Sequence, residues 1–220
     1  GELFGWQFES VPLYGELVYT IARLDGRVVA GIMPFNPPPE LADMPSHWMS
    51  YLEVDDVDAA CARTTEVGGT VCYQPFDMPQ VGRTAILEDP SGAYFHVFKA
   101  ASPEVITVQH PEPPVGDFCW TRLVGADLDA CQGFYETVAG WRFQRDAGPE
   151  SQDLLFAGEQ MVAASIGGPD SAAGWLPYVR VEDCVASYSR ALALGAASLS
   201  SPTQIGQIGV SAVLESPVGA

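Results

Sequence analysis

The chain has 220 residues and a formal net charge of −18, with 28 acidic residues against 10 basic ones. That balance argues against nucleic acid, whose phosphates need a basic surface, and against anionic membrane for the same reason. No run of 18 apolar residues is present to span a bilayer. Five cysteines, Cys61, Cys72, Cys119, Cys131 and Cys184, without a CxxC pair read as small buried hydrophobes in a reducing compartment, so a cytoplasmic location is expected.

In chain order, Trp6 to Phe8, Leu17 to Leu24 and Val28 to Met33 read as strands, with a hairpin turn at Gly26. Pro34 to Pro45 is too rich in proline for either regular element. Trp48 to Val54 is the next strand. Asp55 or Asp56 then caps a helix from about Val57 to Val67, with Val57, Ala60, Cys61, Thr64 and Val67 at helical spacing and Gly68-Gly69 as its stop. Thr70 to Tyr73, Arg83 to Glu88 and Tyr94 to Phe98 follow as strands, and Ser102 to Gly116 is a Pro-rich linker. Cys119 to Val124 opens the second half as a strand, Asp127 caps a helix through about Val138, and Trp141, Asp153 and Met161 open three further strands.

The stretch Trp48–Ala93 recurs at Trp175–Ala220 in an unbroken register with an offset of 127, pairing Tyr51 with Tyr178, Asp56 with Asp183, Gly68 with Gly195, Gly82 with Gly209 and Gly92 with Gly219. Upstream, Trp6 matches Trp141 at an offset of 135. A register of this kind marks one duplicated unit. Phe118 to Val138 has no counterpart in the first copy, and Tyr94 to Lys99 has none in the second, so native residues are expected to be lacking at both ends. The division predicted is a first domain over 1–101, a linker over 102–116 and a second domain over 117–220, each copy holding two β-α-β-β-β modules in an α+β fold.

Three motifs carry a family resemblance. Phe134-Tyr135 to Gly140-Trp141 precedes a strand, Val54-Asp55-Asp56-Val57-Asp58-Ala59 joins a strand to a helix, and Asp89-Pro90-Ser91-Gly92 precedes the closing strand. With paired βαβββ modules, these resemble the vicinal oxygen chelate superfamily of glyoxalase I, bleomycin-resistance proteins and extradiol dioxygenases. The nearest likeness is to its tandem glyoxalase-like branch, whose members often carry hydroxylase labels. The resemblance implies two half-open barrels, each cupping a site that in the family often holds a divalent metal on His, Gln or Glu. By motif the family's metal positions fall on Met49, His96, Trp120 and Leu176. An indole donates only, leucine has no lone pair and a thioether is soft, so no metal or other cofactor is expected. The alternative keeps a displaced Fe, Mn, Ni or Zn site on His47 and His96, His47 sharing Met49's strand face.

Without a metal the cups can still bind. The inward set predicted for the first copy includes Met49, Tyr51, Glu53, Tyr94, His96 and Phe98; for the second it is Trp120, Arg122, Tyr178 and Arg180. Aromatic walls with few polar groups suit small molecules, and an arginine fork suits a carboxylate. His96 and Glu53 are the catalytic candidates, Glu53 as a general base beside Tyr51. Trp48 and Trp175 alternate to the opposite face and are expected in the core. The function expected is binding of a small aromatic or anionic organic molecule by a monomer or homodimer, through sequestration or metal-free conversion. The alternatives are a metal-dependent lyase or a dioxygenase or hydroxylase-type enzyme using His47 and His96, and an interaction protein with vestigial cups.

Overall fold

A computed structural model describes residues 2–12, 18–34, 46–79, 81–102, 112–124, 128–145, 153–157, 160–166, 173–205 and 209–220. Its elements, in order, are β1 (Gln7–Pro12), β2 (Val18–Leu24), β3 (Arg27–Ile32), β4 (Tyr51–Glu53), α1 (Val57–Glu66), β5 (Thr70–Met78), β6 (Gly82–Glu88), β7 (Tyr94–Ala100), β8 (Phe118–Val124), α2 (Leu128–Ala139), β9 (Arg142–Arg145), β10 (Asp153–Ala157), β11 (Gln160–Ile166), β12 (Gly174–Val179), α3 (Cys184–Ala193), β13 (Ala197–Ile205) and β14 (Gly209–Glu215). Mostly sheet with three helices among the described residues, this is the α+β class expected, and the sheets are open. Of the Pro-rich loop expected over 34–45, residues 35–45 lie outside the described residues, as do most of the expected linker and the cap at Asp127.

Two compact units interleave the copies. One takes Gly1–His47, Gln109–Cys119 and Val179–Ala220; the other takes Trp48–Val108 and Trp120–Tyr178. In the second of these, a four-stranded sheet has the order β4-β7-β6-β5 and a five-stranded sheet the order β12-β8-β11-β10-β9. The first and last strands of a module pair in parallel, β4 with β7 and β8 with β11. Parallel neighbours need a crossover, and α1 and α2 supply it.

Asp56 caps α1 by accepting from the Ala59 amide at 3.0 Å, and Asp183 caps α3 on the Ala186 amide at 2.9 Å, the same contact one repeat later. The buried face of α1 is Val57, Ala60, Cys61 and Thr64, and that of α2 is Cys131, Phe134, Tyr135 and Val138, both at helical spacing. They share one core with Leu52, Ala85, Leu87, Phe95, Val97, Leu123, Trp141 and Trp175. Tyr135 stacks on Trp141 at 5.7 Å, and Trp175 meets both rings edge-on at 5.5 and 5.9 Å. Each fully buried side chain of this size contributes about 1.5–3 kcal/mol.

Trp48 departs from expectation. It is 38% exposed against 6% for Trp175. The reason is local, because β4 begins only at Tyr51 and leaves Trp48 ahead of the strand, whereas β12 already includes Trp175. The cysteines also divide: Cys61 and Cys131 are buried as expected, while Cys72 and Cys119 are exposed and Cys184 is intermediate, all five as free thiols.

A polar knot crosses the shared core. Asp89, 3% exposed, accepts from the Ser91 and Ala93 amides through Oδ1 at 2.8 and 3.0 Å. Its Oδ2 accepts from the Tyr135 hydroxyl at 2.7 Å and, more weakly, the Cys131 thiol at 3.5 Å. Burial pushes the Cys131 thiol up to about 12 and the Tyr135 phenol well above its ordinary value, with Asp89 adding to both shifts. In the other unit, β1-β2-β3 form a meander over Trp6, Ala22, Leu24 and Val29, and the Trp6 indole donates to the Gly116 carbonyl at 2.6 Å.

Candidate functional site

Strand alternation sorts β4 and β7 into two faces. Leu52, Phe95 and Val97 point into the helix-packed core, so Tyr51, His96 and Phe98 share the opposite face. Tyr51 stacks on His96 with ring centroids 4.2 Å apart and 7° between planes, and its edge meets Phe98 at 5.8 Å. The three make an aromatic wall.

Thr84, fully buried on β6, fixes the imidazole. Its hydroxyl lies 2.8 Å from the Val97 carbonyl and 3.0 Å from His96 Nδ1. A carbonyl only accepts, so the single hydroxyl hydrogen goes to Val97 and Nδ1 must donate to Thr84. His96 therefore carries its proton on Nδ1 and presents Nε2 as a lone pair. Burial lowers its pKa from 6.5 to about 4, so the ring is neutral near pH 7. Sequence reasoning missed Thr84; the available signal was a hydroxyl residue leading into the apolar run Ala85–Leu87, two places along from the residue facing His96.

A second cluster lies on β8 and β12. Leu123 and Trp175 enter the core, which places Trp120, Arg122 and Tyr178 on the opposite face. Arg122 Nη1 donates to the Tyr178 hydroxyl at 2.6 Å, and the Trp120 and Tyr178 rings lie 6.1 Å apart, tilted by 45°.

The remaining candidates are dispersed. Glu53 and His47 are exposed, His47 belonging to the other unit, and Met49 is half-buried ahead of β4. Tyr94 is 37% exposed, with its phenol raised by partial burial and by Glu88. Arg180 sits past the end of β12, where Nη1 donates to the Pro113 carbonyl at 2.7 Å and its backbone brackets the linker through Gly116 and Asp117. It braces the chain there and is exposed. Among the described residues no three His, Cys, Asp or Glu side chains gather closely enough to hold a metal ion. With Trp120 and Leu176 unable to coordinate, the described donor set does not fit the ion that the fold family implies.

This architecture defines a vicinal-oxygen-chelate fold, and comparison bears that out. The chain belongs to the Glyoxalase/Bleomycin resistance protein/Dioxygenase superfamily, whose family model matches residues 1–97. It is 33% identical to "Putative glyoxylase CFP32" of Mycobacterium bovis, over 99% of this chain and 84% of that protein. It is 30% identical to the anthracycline biosynthesis protein DauV of Streptomyces sp. strain C5, over 88% of this chain and 74% of the relative. Among solved structures, 2,2',3-trihydroxybiphenyl 1,2-dioxygenase from Sphingomonas wittichii aligns with a TM-score of 0.56 at 17% identity, covering 99% of this chain and 80% of that one. The Mn(II)-bound glyoxalase of Novosphingobium aromaticivorans aligns at 0.53 and 16%, covering 99% and 72%. These two likenesses bear on the fold alone. Among the described residues, no helix is long and apolar enough to cross a membrane.

Proposed function

We propose that this protein binds a small, partly aromatic organic molecule against the Tyr51–His96–Phe98 wall, without an essential metal. The observation that carries the reading is the Thr84 hydroxyl: by accepting from the His96 Nδ1–H it holds the neutral imidazole in the tautomer that presents Nε2 as an acceptor beside two rings. A ligand O–H or N–H can donate to that nitrogen while its apolar body covers the rings. The names of the relatives, a glyoxylase and an anthracycline biosynthesis protein, fit small organic substrates.

A second reading rests on the same hydrogen bond. An imidazole whose Nδ1–H is held by an oxygen is also the arrangement of a metal ligand, so His96 in a metal-dependent lyase or dioxygenase-type site is the alternative. One experiment separates the two: elemental mass spectrometry of purified protein beside His96→Ala, followed by titration of phenol into 15N-labelled protein in EDTA. Phenol shifting the His96 Nε2 resonance of metal-free protein, and losing affinity in His96→Gln, is the expected result. Near-stoichiometric Fe, Mn, Ni or Zn that disappears in His96→Ala, or phenol binding only after Mn²⁺ is added, would overturn the metal-free reading.

A further inference from the structure

The face formed by Trp120, Arg122 and Tyr178 has a different chemistry from the His96 wall, and it is out of balance. Trp120 Nε1 and Arg122 Nε are both buried without a hydrogen-bond partner. A buried donor left unmet costs about 1–3 kcal/mol, and more where it is charged. Other unmet donors stand singly: Arg27 lies against the Asp117 carboxylate, Arg63 uses another nitrogen to reach the Val138 carbonyl, and Trp175 is wedged in the aromatic core. Among the described residues, only on β8 do two fall two residues apart, on one strand face.

Nor, among the described residues, is the Arg122 charge met by a carboxylate, a state it shares with Arg63 and Arg180, which donate to main-chain carbonyls instead. In a chain with 28 acidic residues, Arg23, Arg27 and Arg83 each pair with a carboxylate, and Lys99 with Asp55. No ion pair reaches Arg122 among the described residues. Its Nη1 is committed to the Tyr178 hydroxyl. What remains is the edge carrying Nε and Nη2, whose parallel N–H bonds match the two oxygens of a carboxylate. An indole and a guanidinium offer donors and no acceptor, so whatever completes the site must bring acceptors, and a partly buried cation selects an anion.

We infer that Trp120, Arg122 and Tyr178 form a binding site for a planar organic carboxylate. The carboxylate takes the Nε–Nη2 edge of Arg122, one oxygen also receives the Trp120 indole N–H, and the apolar body packs against the side of the Trp120 and Tyr178 pair. Tyr178 is a positioning residue, since its oxygen sets the plane of the guanidinium. The site is independent of the reading given to the His96 wall.

Benzoate and its neutral isostere benzamide test it by calorimetry on the full chain. A ligand of benzoate's size is expected to bind with a Kd of about 1 mM or tighter, and benzamide at least roughly tenfold more weakly because it lacks the charge. Arg122→Met removes an unpaired partly buried cation, so it is expected to fold at least as well as the native chain while losing benzoate affinity by roughly tenfold or more. Trp120→Phe keeps the ring and should lose about three- to tenfold. Arg190→Gln, which removes a positive charge from α3, should leave benzoate affinity unchanged. Equal affinity for benzoate and benzamide, unaltered benzoate binding in Arg122→Met, or no saturable benzoate binding would overturn the inference. Benzoate binding lost in His96→Gln but kept in Arg122→Met would overturn this site while leaving the first wall standing.

Discussion

Acidification isolates His96. Its pKa falls from 6.5 to about 4 because burial disfavours the imidazolium. The Thr84 hydroxyl does not oppose this, since Nδ1–H donates to it in either charge state. The unfolded chain therefore binds a proton in a range where the folded chain does not, and stability rises with pH between about 4 and 6.5. The contribution is intact above the unfolded value and is lost as pH falls towards the folded one. Worked through, the deficit at pH 5 relative to pH 7.5 is about 2 kcal/mol from this one group. Carboxylates titrate in the same direction, so the native chain is compared with His96→Gln, whose amide can still donate to Thr84. Urea unfolding followed by tryptophan fluorescence at steps from pH 7.5 to 5 gives the difference. The native chain should lose about 2 kcal/mol relative to the variant across that range. A flat difference would refute the argument, because it would mean that the imidazole charges freely in the folded state.

Two other perturbations read the scaffold. Tyr135→Phe removes the hydroxyl that donates to the buried Asp89 carboxylate, costing about 1.5–3 kcal/mol and lowering the thermal midpoint by roughly 3–10 °C, whereas Tyr188→Phe, which breaks an exposed contact to Ser198, should stay within about 0.5 kcal/mol of native. Gly82→Ala places a Cβ 2.2 Å from the Lys99 carbonyl and 2.8 Å from the Phe98 ring, while at the matching Gly209 no atom lies within 4 Å; calorimetric scans should show Gly82→Ala as the more damaging by about 2 kcal/mol or more, and equal losses would argue against the close approach of β7 to Gly82.

The fold was legible because the chain states it twice. An offset of 127 that never slips maps each cap and turn onto its echo, and the Asp56 and Asp183 caps show that the register is structural. Strand alternation likewise separated Tyr51, His96 and Phe98 from Leu52, Phe95 and Val97. What stayed hidden depends on contacts between elements. Thr84 matters only because the register of β6 and β7 sets it diagonal to His96. Arg180 carries the same sequence signal as Arg122, yet one lies within a strand and the other beyond the end of one, where the linker carbonyls are the nearest acceptors. Trp48 and Trp175 occupy one repeat position, but Trp175 meets Tyr135 and Trp141 and lies inside a strand. Position in a repeat fixes backbone geometry and does not supply a partner.

The turn before the closing strand shows how such divergence is tolerated. At Asp89 the carboxylate accepts from the Ala93 amide at 3.0 Å; one repeat later Ser216 accepts from the Ala220 amide at 3.0 Å through its hydroxyl. The Gly92 and Gly219 amides reach the carbonyls of those residues at 3.0 and 2.9 Å. The turn needs only a side-chain oxygen at that place, and either residue supplies one. What the exchange changes is the second oxygen: Asp89 has one left for Tyr135 across the core, and a serine hydroxyl does not. The same separation holds on the strands. Alternate residues carry the packing, so the intervening ones can become a neutral acceptor among aromatic rings on β7 and unmet donors on β8 without disturbing it. The two proposed sites accordingly ask for opposite partners, a ligand that donates at His96 and one that accepts at Arg122.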